Sequence, residues 1–588
     1  MTTGAPSSSD RRVEEAPLPR GGIDALAGVL AFLFAVLAVR AITMQLTGAS
    51  EALRRVVRDA SPRRPVRATR GRLLDAHGVV VAQDVAALRI DVDSRAREYS
   101  PEILAVLDRA LRWTPARRHD AAILLASLDA RDLRVHTLES AARTDDPSRL
   151  ERALRAIPGV HVSATTTRGY PFGAEMFHVV GVSRGPSGVE RVLDATLRGT
   201  PGWERPAPRG NDGTADTESW RLLLAAAREP RGSAPTDGRT VRLTLDSALQ
   251  HDIALAFDQT GFATGAAVVL EASTGRVVAA YSRPALDPAA FTATLSPTDW
   301  SLSRDASSSP LLDQYAARAH RPGFTFVPFS AMSAIVDSDG AESRTIDCAG
   351  TMGFGDRQWH DTGFHGRGVD LVRALATHCY LYCFQMATIT SLDHQAAIAR
   401  SFGLGAPTGF VASPESRGSV PDRSDFVRRM GHFSLGSTLN AMIGYVQSVT
   451  PMQLAVAYAA LVNGGDVFEP QLIDAIEATG GELVARPRAA PRRHVEVPHG
   501  AREHVLDALR EASSSLPEDL AGLDAHPSPG ADPRDDLCNN WFAGFFPRAA
   551  PRYVVVVFVA TVPDLGNPAR AVALAASRHL RIAAGDTP

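Results

Sequence analysis

Six residues able to bind a metal or attack a substrate fall in one stretch: Cys348, His360, His365, His378, Cys379 and Cys383. Thiols and imidazoles together suit a metal centre, or a nucleophile with its base. Cys379 and Cys383 stand four apart and so share one helical face. That spacing fits no standard zinc pattern, and the expectation is no metal and no cofactor. With Cys538 there are four cysteines, too few for a disulfide scaffold, although an exported domain could pair them in three ways. Thr325 could act as a hydroxyl nucleophile with His378 as its base. It lies in Arg321-Pro322-Gly323-Phe324-Thr325-Phe326-Val327-Pro328, the start of an apolar helix running to about Val336. Phe324, Val327, Ala331 and Ala334 repeat at helical spacing. Helical neighbours diverge by about 100°, so Thr325 should point away from whatever Phe324 faces. His432-Phe433-Ser434-Leu435-Gly436 has the outline of a nucleophile elbow, but it lacks the first glycine and the preceding strand.

The chemistry open to the chain is narrowed by one absence. Lysine does not occur, so all 62 basic residues are arginine. Arginine stays protonated and is a poor general base, which excludes any mechanism that needs a lysine base. The net charge of −3 argues against a nucleic-acid binder. A hydrophobic share of 45% with 22% charged residues describes an ordinary folded protein.

The elements that would position these residues follow in order. Residues 1–22 read as a polar, disordered tail on the cytoplasmic side. Ala25 to Val39 is an unbroken apolar run and continues past Arg40 to Leu46. It is near the length of about 20 residues that spans a bilayer. No small-x-small cleavage site follows, which favours an anchor (23–46) over a cleaved signal peptide. Arg54, Arg55, Arg58, Arg63 and Arg64 after the run slightly outweigh Arg11, Arg12 and Arg20 before it, but long domains translocate largely regardless of such charges. Val79 to Ala82 reads as a strand after an Asp-x-x-Gly turn, and 101–156 as helical. Residues 203–238 read as a linker or insertion. Val241 to Asp246 is a strand, Ser247 to Thr260 a helix, and Gly265–Glu271 with Arg276–Tyr281 a hairpin. A mainly helical middle covers 311–465. Trp541–Phe546 and Tyr553–Ala560 are strands, the aromatic one a core strand rather than a ligand platform, and Ala569–Leu580 is a helix. Strands at both ends with helices between give an α+β domain whose sheet pairs its first and last segments.

This order of segments resembles the class B penicillin-binding proteins, the single-pass D,D-transpeptidases of peptidoglycan synthesis. The resemblance runs from about residue 23 to 582. It rests on Arg70-Gly71 to Ala82, Arg168-Gly169-Tyr170-Pro171, Gly188-Val189-Glu190, Leu243-Thr244-Leu245-Asp246, Thr274-Gly275-Arg276, His365-Gly366, Val449-Thr450-Pro451-Met452-Gln453-Leu454, Asn463-Gly464-Gly465 and Trp541-Phe542-Ala543-Gly544. It implies an anchor, a pedestal domain (47–202) and a transpeptidase-like domain (239–588) with an antiparallel sheet and a helical subdomain. The large part would lie outside the cytoplasmic membrane. It also implies a partner surface on the pedestal at Arg70, Gly71, Asp75, Arg168 and Glu190. The expected partners are a SEDS-type polytopic glycan polymerase and other cell-wall synthesis proteins.

The family's three active-site motifs are missing. Where S-x-x-K belongs the chain has Phe324 and Val327; where S-x-N belongs, His378-Cys379-Tyr380; where K-T-G belongs, Leu523-Asp524-Ala525. Codon drift from lysine to arginine cannot produce Val327 or Leu523. Pro527, Pro529 and Pro533 follow the third position and would weaken a peptide-binding strand edge there. The expectation is a catalytically inactive member that serves cell-wall synthesis as a structural or regulatory partner. Two alternatives are a divergent transpeptidase using substituted residues and a non-catalytic peptidoglycan-binding module.

Overall fold

The computed structural model describes residues 25–43, 64–113, 115–129, 134–183, 185–204, 232–288, 309–355, 357–517, 519–526, 539–560 and 566–583. The polar tail, Arg54 to Arg63, most of the 203–238 segment, Pro527, Pro529, Pro533 and Cys538 lie outside these residues.

Contacts divide the chain into two compact units. One comprises Met1–Ala68 with Thr200–Thr236, the other Thr69–Gly199 with Asp237–Pro588. The first contains helix α1, Ala25–Thr43, the one described helix long and apolar enough to cross a membrane, with mean hydropathy 2.4. At 1.5 Å per residue it is about 28 Å long, close to the hydrocarbon thickness of a bilayer. Its Leu26, Phe32 and Phe34 are exposed, as a lipid-facing helix requires. The same unit holds a small antiparallel sheet of Arg64–Val66, Gly202–Glu204 and Gly232–Ser233.

The second unit is built on a five-stranded antiparallel sheet. Its strands are β1 (Gly265–Glu271), β2 (Val277–Arg283), β3 (Ala521–Ala525), β4 (Asn540–Phe546) and β5 (Tyr553–Val559), in the order β2-β1-β5-β4-β3. The expected pairing of first and last segments is present, with Val268 opposite Val556. β5 is apolar almost throughout because both its faces are covered. Val555, Val557 and Val559 pack with Leu249, Ile253 and Phe257 of helix α2 (Ser247–Thr260), and with Val572 and Ala576 of the C-terminal Pro568–Ala583 helix. Val554, Val556 and Phe558 face the opposite core. Strand alternation thus sends successive side chains into two different cores. The aromatic β4 is buried at every position, as the core-strand reading expects.

The second core surrounds helix α3, Val327–Asp337, and the almost wholly buried helix Pro451–Val462. The latter starts with a reciprocal cap: Thr450 Oγ1 accepts from the Gln453 N–H at 3.1 Å, and Gln453 Oε1 from the Thr450 N–H at 3.3 Å. Such a cap contributes about 1 kcal/mol and explains why Thr-Pro-x-Gln opens this helix.

One expectation needs correction and another an addition. The stretch read as helical over 101–156 is interrupted by strand His136–Ala142, which pairs with the long strand Val80–Val92. Its Leu, Glu and Ala residues suggest helix, but pairing within a sheet overrides propensity. The mainly helical middle contains four short strands, Ile346–Cys348, Thr351–Phe354, Arg357–His360 and Gly366–Val369. They form two separate antiparallel pairs.

Candidate active-site cleft

The stretch Gly323–Phe326 forms a single 3-10 turn that runs directly into α3. Gly323 has φ +55°, and a Cβ there would lie 2.9 Å from Ala525 Cβ, so the turn rests on β3. Gly444 closes the other side: a Cβ on it would meet Gly323 O at 2.1 Å. Only glycine permits this backbone contact. It fixes where residue 324 points.

Phe324 and Val327 are both 1% exposed. The Phe324 ring lies 4.8 Å from the His378 ring and is stacked 5.8 Å from the Tyr380 ring. Tyr380 and Tyr445 join their hydroxyls at 3.0 Å. The positions expected at the cleft therefore do come together, but as an aromatic cluster with no serine, lysine or asparagine among them. Thr325 turns away, as helical geometry predicts. It is fully buried, and its hydroxyl donates to Pro322 O at 2.7 Å within its own turn.

His378 ends the Leu371–Thr377 helix in the left-handed region, at φ +54°. Its Nε2 bonds the Asp524 carbonyl at 3.0 Å, which makes Nε2 the protonated nitrogen. Burial, then His526 and Arg570, pushes its pKa down to about 3. Leu523 and Ala525 are buried in β3 opposite Ala543 and Trp541. β3 is the sheet edge, yet its groups are engaged by side chains. Ser513 Oγ accepts from the Gly522 N–H at 3.0 Å and donates to Gly522 O at 3.2 Å, while His378 takes Asp524 O. An added peptide strand would have to displace these bonds. Asp524 is buried and paired through both oxygens to Arg570. Asp524 also lies close to His378 and His526, but the guanidinium already neutralises it. Burial raises the Tyr380 hydroxyl well above its ordinary range. Among the described residues, the cleft thus offers an enclosed neutral imidazole and two phenols around the buried Phe324 ring.

A second cluster lies beside the first. Cys348 ends its strand, Asp361 and His365 sit in the loop after Arg357–His360, and Cys379 caps helix α4 (Tyr380–Ala387). One ligand atom from each lies within 4.8 Å of all the others. Asp361 Oδ2 is 3.2 Å from Cys348 Sγ, 3.1 Å from Cys379 Sγ and 3.5 Å from His365 Nδ1. Burial alone would raise the Asp361 pKa. Donation from the Leu381 N–H, Cys379, the Tyr380 N–H and Cys348 outweighs this and holds it below the usual range. Two sulfurs, an imidazole and a carboxylate are a donor set suited to a closed, four-coordinate zinc ion. Such an ion would fasten the strand, the loop and α4 together, and with no open position it would serve structure. Spacing along one helix pairs Cys379 with Cys383 and so does not reveal this group. The structure joins Cys379 instead to residues from two other segments, and adds Asp361, a carboxylate outside the cysteines and histidines of the stretch. The signal available in the sequence was the Asp361-Thr-Gly-Phe-His365 turn between two cysteines.

The five pedestal positions expected as a partner surface are not a surface. Asp75 is 1% and Glu190 0% exposed, and Gly71 is buried. Arg70 Nε donates to Glu190 Oε2 and Arg168 Nε to Glu190 Oε1, both at 2.7 Å. Arg70 also pairs with Asp194, and Arg168 with Asp84 and Gly71 O. Asp75 Oδ2 accepts from Ser247 Oγ at 2.6 Å, and Oδ1 from the His77 and Val79 N–H groups. Buried charges are tolerated only when paired, so these residues face one another.

Comparison with known proteins agrees with this architecture. The family model for the penicillin binding protein transpeptidase domain matches residues 265–512, and that for the penicillin-binding protein dimerisation domain residues 65–217. The sheet-and-helix body with its preceding module is a penicillin-binding fold. The chain belongs to the class B penicillin-binding proteins. It is similar to the peptidoglycan D,D-transpeptidase MrdA of Acinetobacter baumannii, 26% identical over 509 residues, covering 81% of this chain and 72% of that protein. It is 25% identical over 514 residues to the MrdA of Escherichia coli K12, covering 81% and 77%. In fold it is similar to the penicillin-binding protein PBP2 of Helicobacter pylori solved in complex with MreC, with TM-score 0.65, 18% identity, and coverage of 90% of this chain and 99% of that one.

Proposed function

We propose that this chain is a membrane-anchored, catalytically inactive class B penicillin-binding protein that serves peptidoglycan synthesis as a structural or regulatory partner. The observation that carries the reading is Phe324. A buried phenylalanine occupies the nucleophile position and fills the cleft with His378 and Tyr380. Val327 takes the place of the lysine, and β3 has its edge engaged by the chain's own side chains. Helix α1 supports a single-pass anchor, with the pedestal (47–202) and the transpeptidase-like domain (239–588) outside the cytoplasmic membrane. The Helicobacter relative assembled with MreC supports partners among the cell-wall machinery, and the family resemblance adds a SEDS-type polymerase.

The names of the relatives favour the second reading, a transpeptidase using substituted residues. Against it stands Thr325, whose hydroxyl is bonded inside its own turn. Incubation of the detergent-purified full chain with a pentapeptide ending in D-Ala-D-Ala separates the two readings. No release of D-Ala is expected. Release that disappears in Thr325→Ala or His378→Ala would establish the enzyme instead.

A further inference from the structure

The two thiols beside the cleft converge on a single oxygen. Cys348 Sγ and Cys379 Sγ lie 3.2 and 3.1 Å from Asp361 Oδ2, and within 4.8 Å of each other. A disulfide bond is about 2.05 Å long, so each sulfur need advance by at most about 1.4 Å to reach its partner. Both are buried, Cys348 1% and Cys379 0% exposed, so an oxidant reaches them only through local opening of the segments that carry them. Cys348 is the last residue of a three-residue strand, and Cys379 sits outside helical geometry between two helices. Above the pair lies the Thr362-Gly363-Phe364 turn, which is exposed, with Phe364 76% accessible. Cys383, one turn further along α4, is not in the cluster.

We propose that Cys348 and Cys379 are a modification site: in the metal-free protein they close to a disulfide that ties strand Ile346–Cys348 to the start of α4, and metal and disulfide exclude each other there. The reaction is thiol–disulfide exchange with a small-molecule disulfide as oxidant. One cysteine, as its thiolate, attacks the oxidant and displaces one small thiol. The second attacks the resulting mixed disulfide and displaces the other. Two protein thiols are oxidised by two electrons in total, and the oxidant is reduced to two thiols. Closure uses two of the four donors of the metal set, so a bound ion must leave first. The oxidised form fixes the residue before Tyr380, whose ring stacks on Phe324, and so holds the aromatic cluster in the cleft from its rim.

The test uses the detergent-purified full chain, treated with chelator and incubated with oxidised glutathione with or without added zinc chloride. Free thiols are then counted after denaturation, and the linked peptides mapped by mass spectrometry. Without zinc the chain should lose two thiols and yield a peptide joining Cys348 to Cys379. With zinc it should lose none. Cys383→Ser should behave like the parent, and Cys348→Ser or Cys379→Ser should abolish the crosslink. Linkage to Cys383 or Cys538 overturns the proposal. So does retention of all thiols under conditions that oxidise the same chain in denaturant, or oxidation that proceeds equally with zinc bound.

Discussion

Glu190→Ala should be among the most damaging single changes in the chain, although it touches no part of the cleft. The Glu190 side chain is 0% exposed, and it lies between Arg168, 8% exposed, and Arg70, 15% exposed. Removing it leaves two enclosed guanidiniums without their shared carboxylate, with Asp84 and Asp194 at the margins and the Gly71 and Glu190 carbonyls as remaining acceptors. Loss of one partner from a buried ion network costs about 3–5 kcal/mol. A whole domain has about 5–15 kcal/mol in hand, so the loss takes a large share. For a body this large, with an unfolding entropy of about 2.1 cal/mol/K per residue, the thermal midpoint should fall on the order of 3–5 °C. The assay is thermal unfolding followed by circular dichroism, with Arg198→Ala as control. Arg198 is 67% exposed and 4.0 Å from Asp194, a pair worth about 0.5 kcal/mol or less. The combined Arg70→Met, Arg168→Met, Glu190→Leu variant should regain part of the loss, since it removes the most enclosed charges together while Asp84 and Asp194 lose their guanidinium partners. A Glu190→Ala midpoint no lower than that of Arg198→Ala would refute the reasoning, and the five pedestal residues would again be available as a surface.

Other consequences follow from the same structure. Phe324→Ala should cost about 3–5 kcal/mol, measured by urea unfolding, because it empties a packed aromatic position; a truncation without effect would mean the cleft is open. Hydrogen bonding to Asp246, offset in part by burial and helped by Asp252, raises the His579 pKa. The stability this contributes is fully present below the unfolded histidine value of about 6.5 and is lost as pH rises through the higher folded value. His579→Gln should therefore flatten the fall in thermal midpoint on the alkaline side of neutrality, and an unchanged profile would exclude the pairing. His378 has the opposite sign. With its folded pKa down at about 3, the protein should lose stability as pH falls from 6.5 toward that value, and His378→Phe should lose less. Elemental analysis of chain purified with zinc present should find about one zinc per molecule, reduced in Asp361→Asn and Cys379→Ser; an unchanged content in those variants would place the metal elsewhere.

Much of the scaffold was legible from the sequence because local chemistry specified it. The Ser247–Thr260 helix stands behind the Asp246 cap, the β1–β2 hairpin turns at Thr274-Gly275, and β5 declares itself by an unbroken Val run. The aromatic filling of the cleft was legible in part. The spacing of Phe324 and Val327 gave the shared face, but their enclosure depends on Tyr380 and His378 arriving from a segment over 50 residues away. One feature was not legible and another only in part. Charged residues such as Arg168 and Glu190 look like surface in a sequence, and only three-dimensional pairing reveals them as interior. The Cys348, Asp361, His365 and Cys379 cluster has no sequence period, because it is assembled by two short strand pairs and a helix start.

On the proposed reading, a cleft filled by Phe324 holds no nucleophile that a penicillin can acylate. Labelling of the detergent-purified full chain with a fluorescent penicillin, beside a catalytically active class B protein as positive control, tests it most directly. No covalent label is expected on this chain while the control labels. A labelled serine or threonine, identified by mass spectrometry and lost when the protein is denatured first, would contradict it.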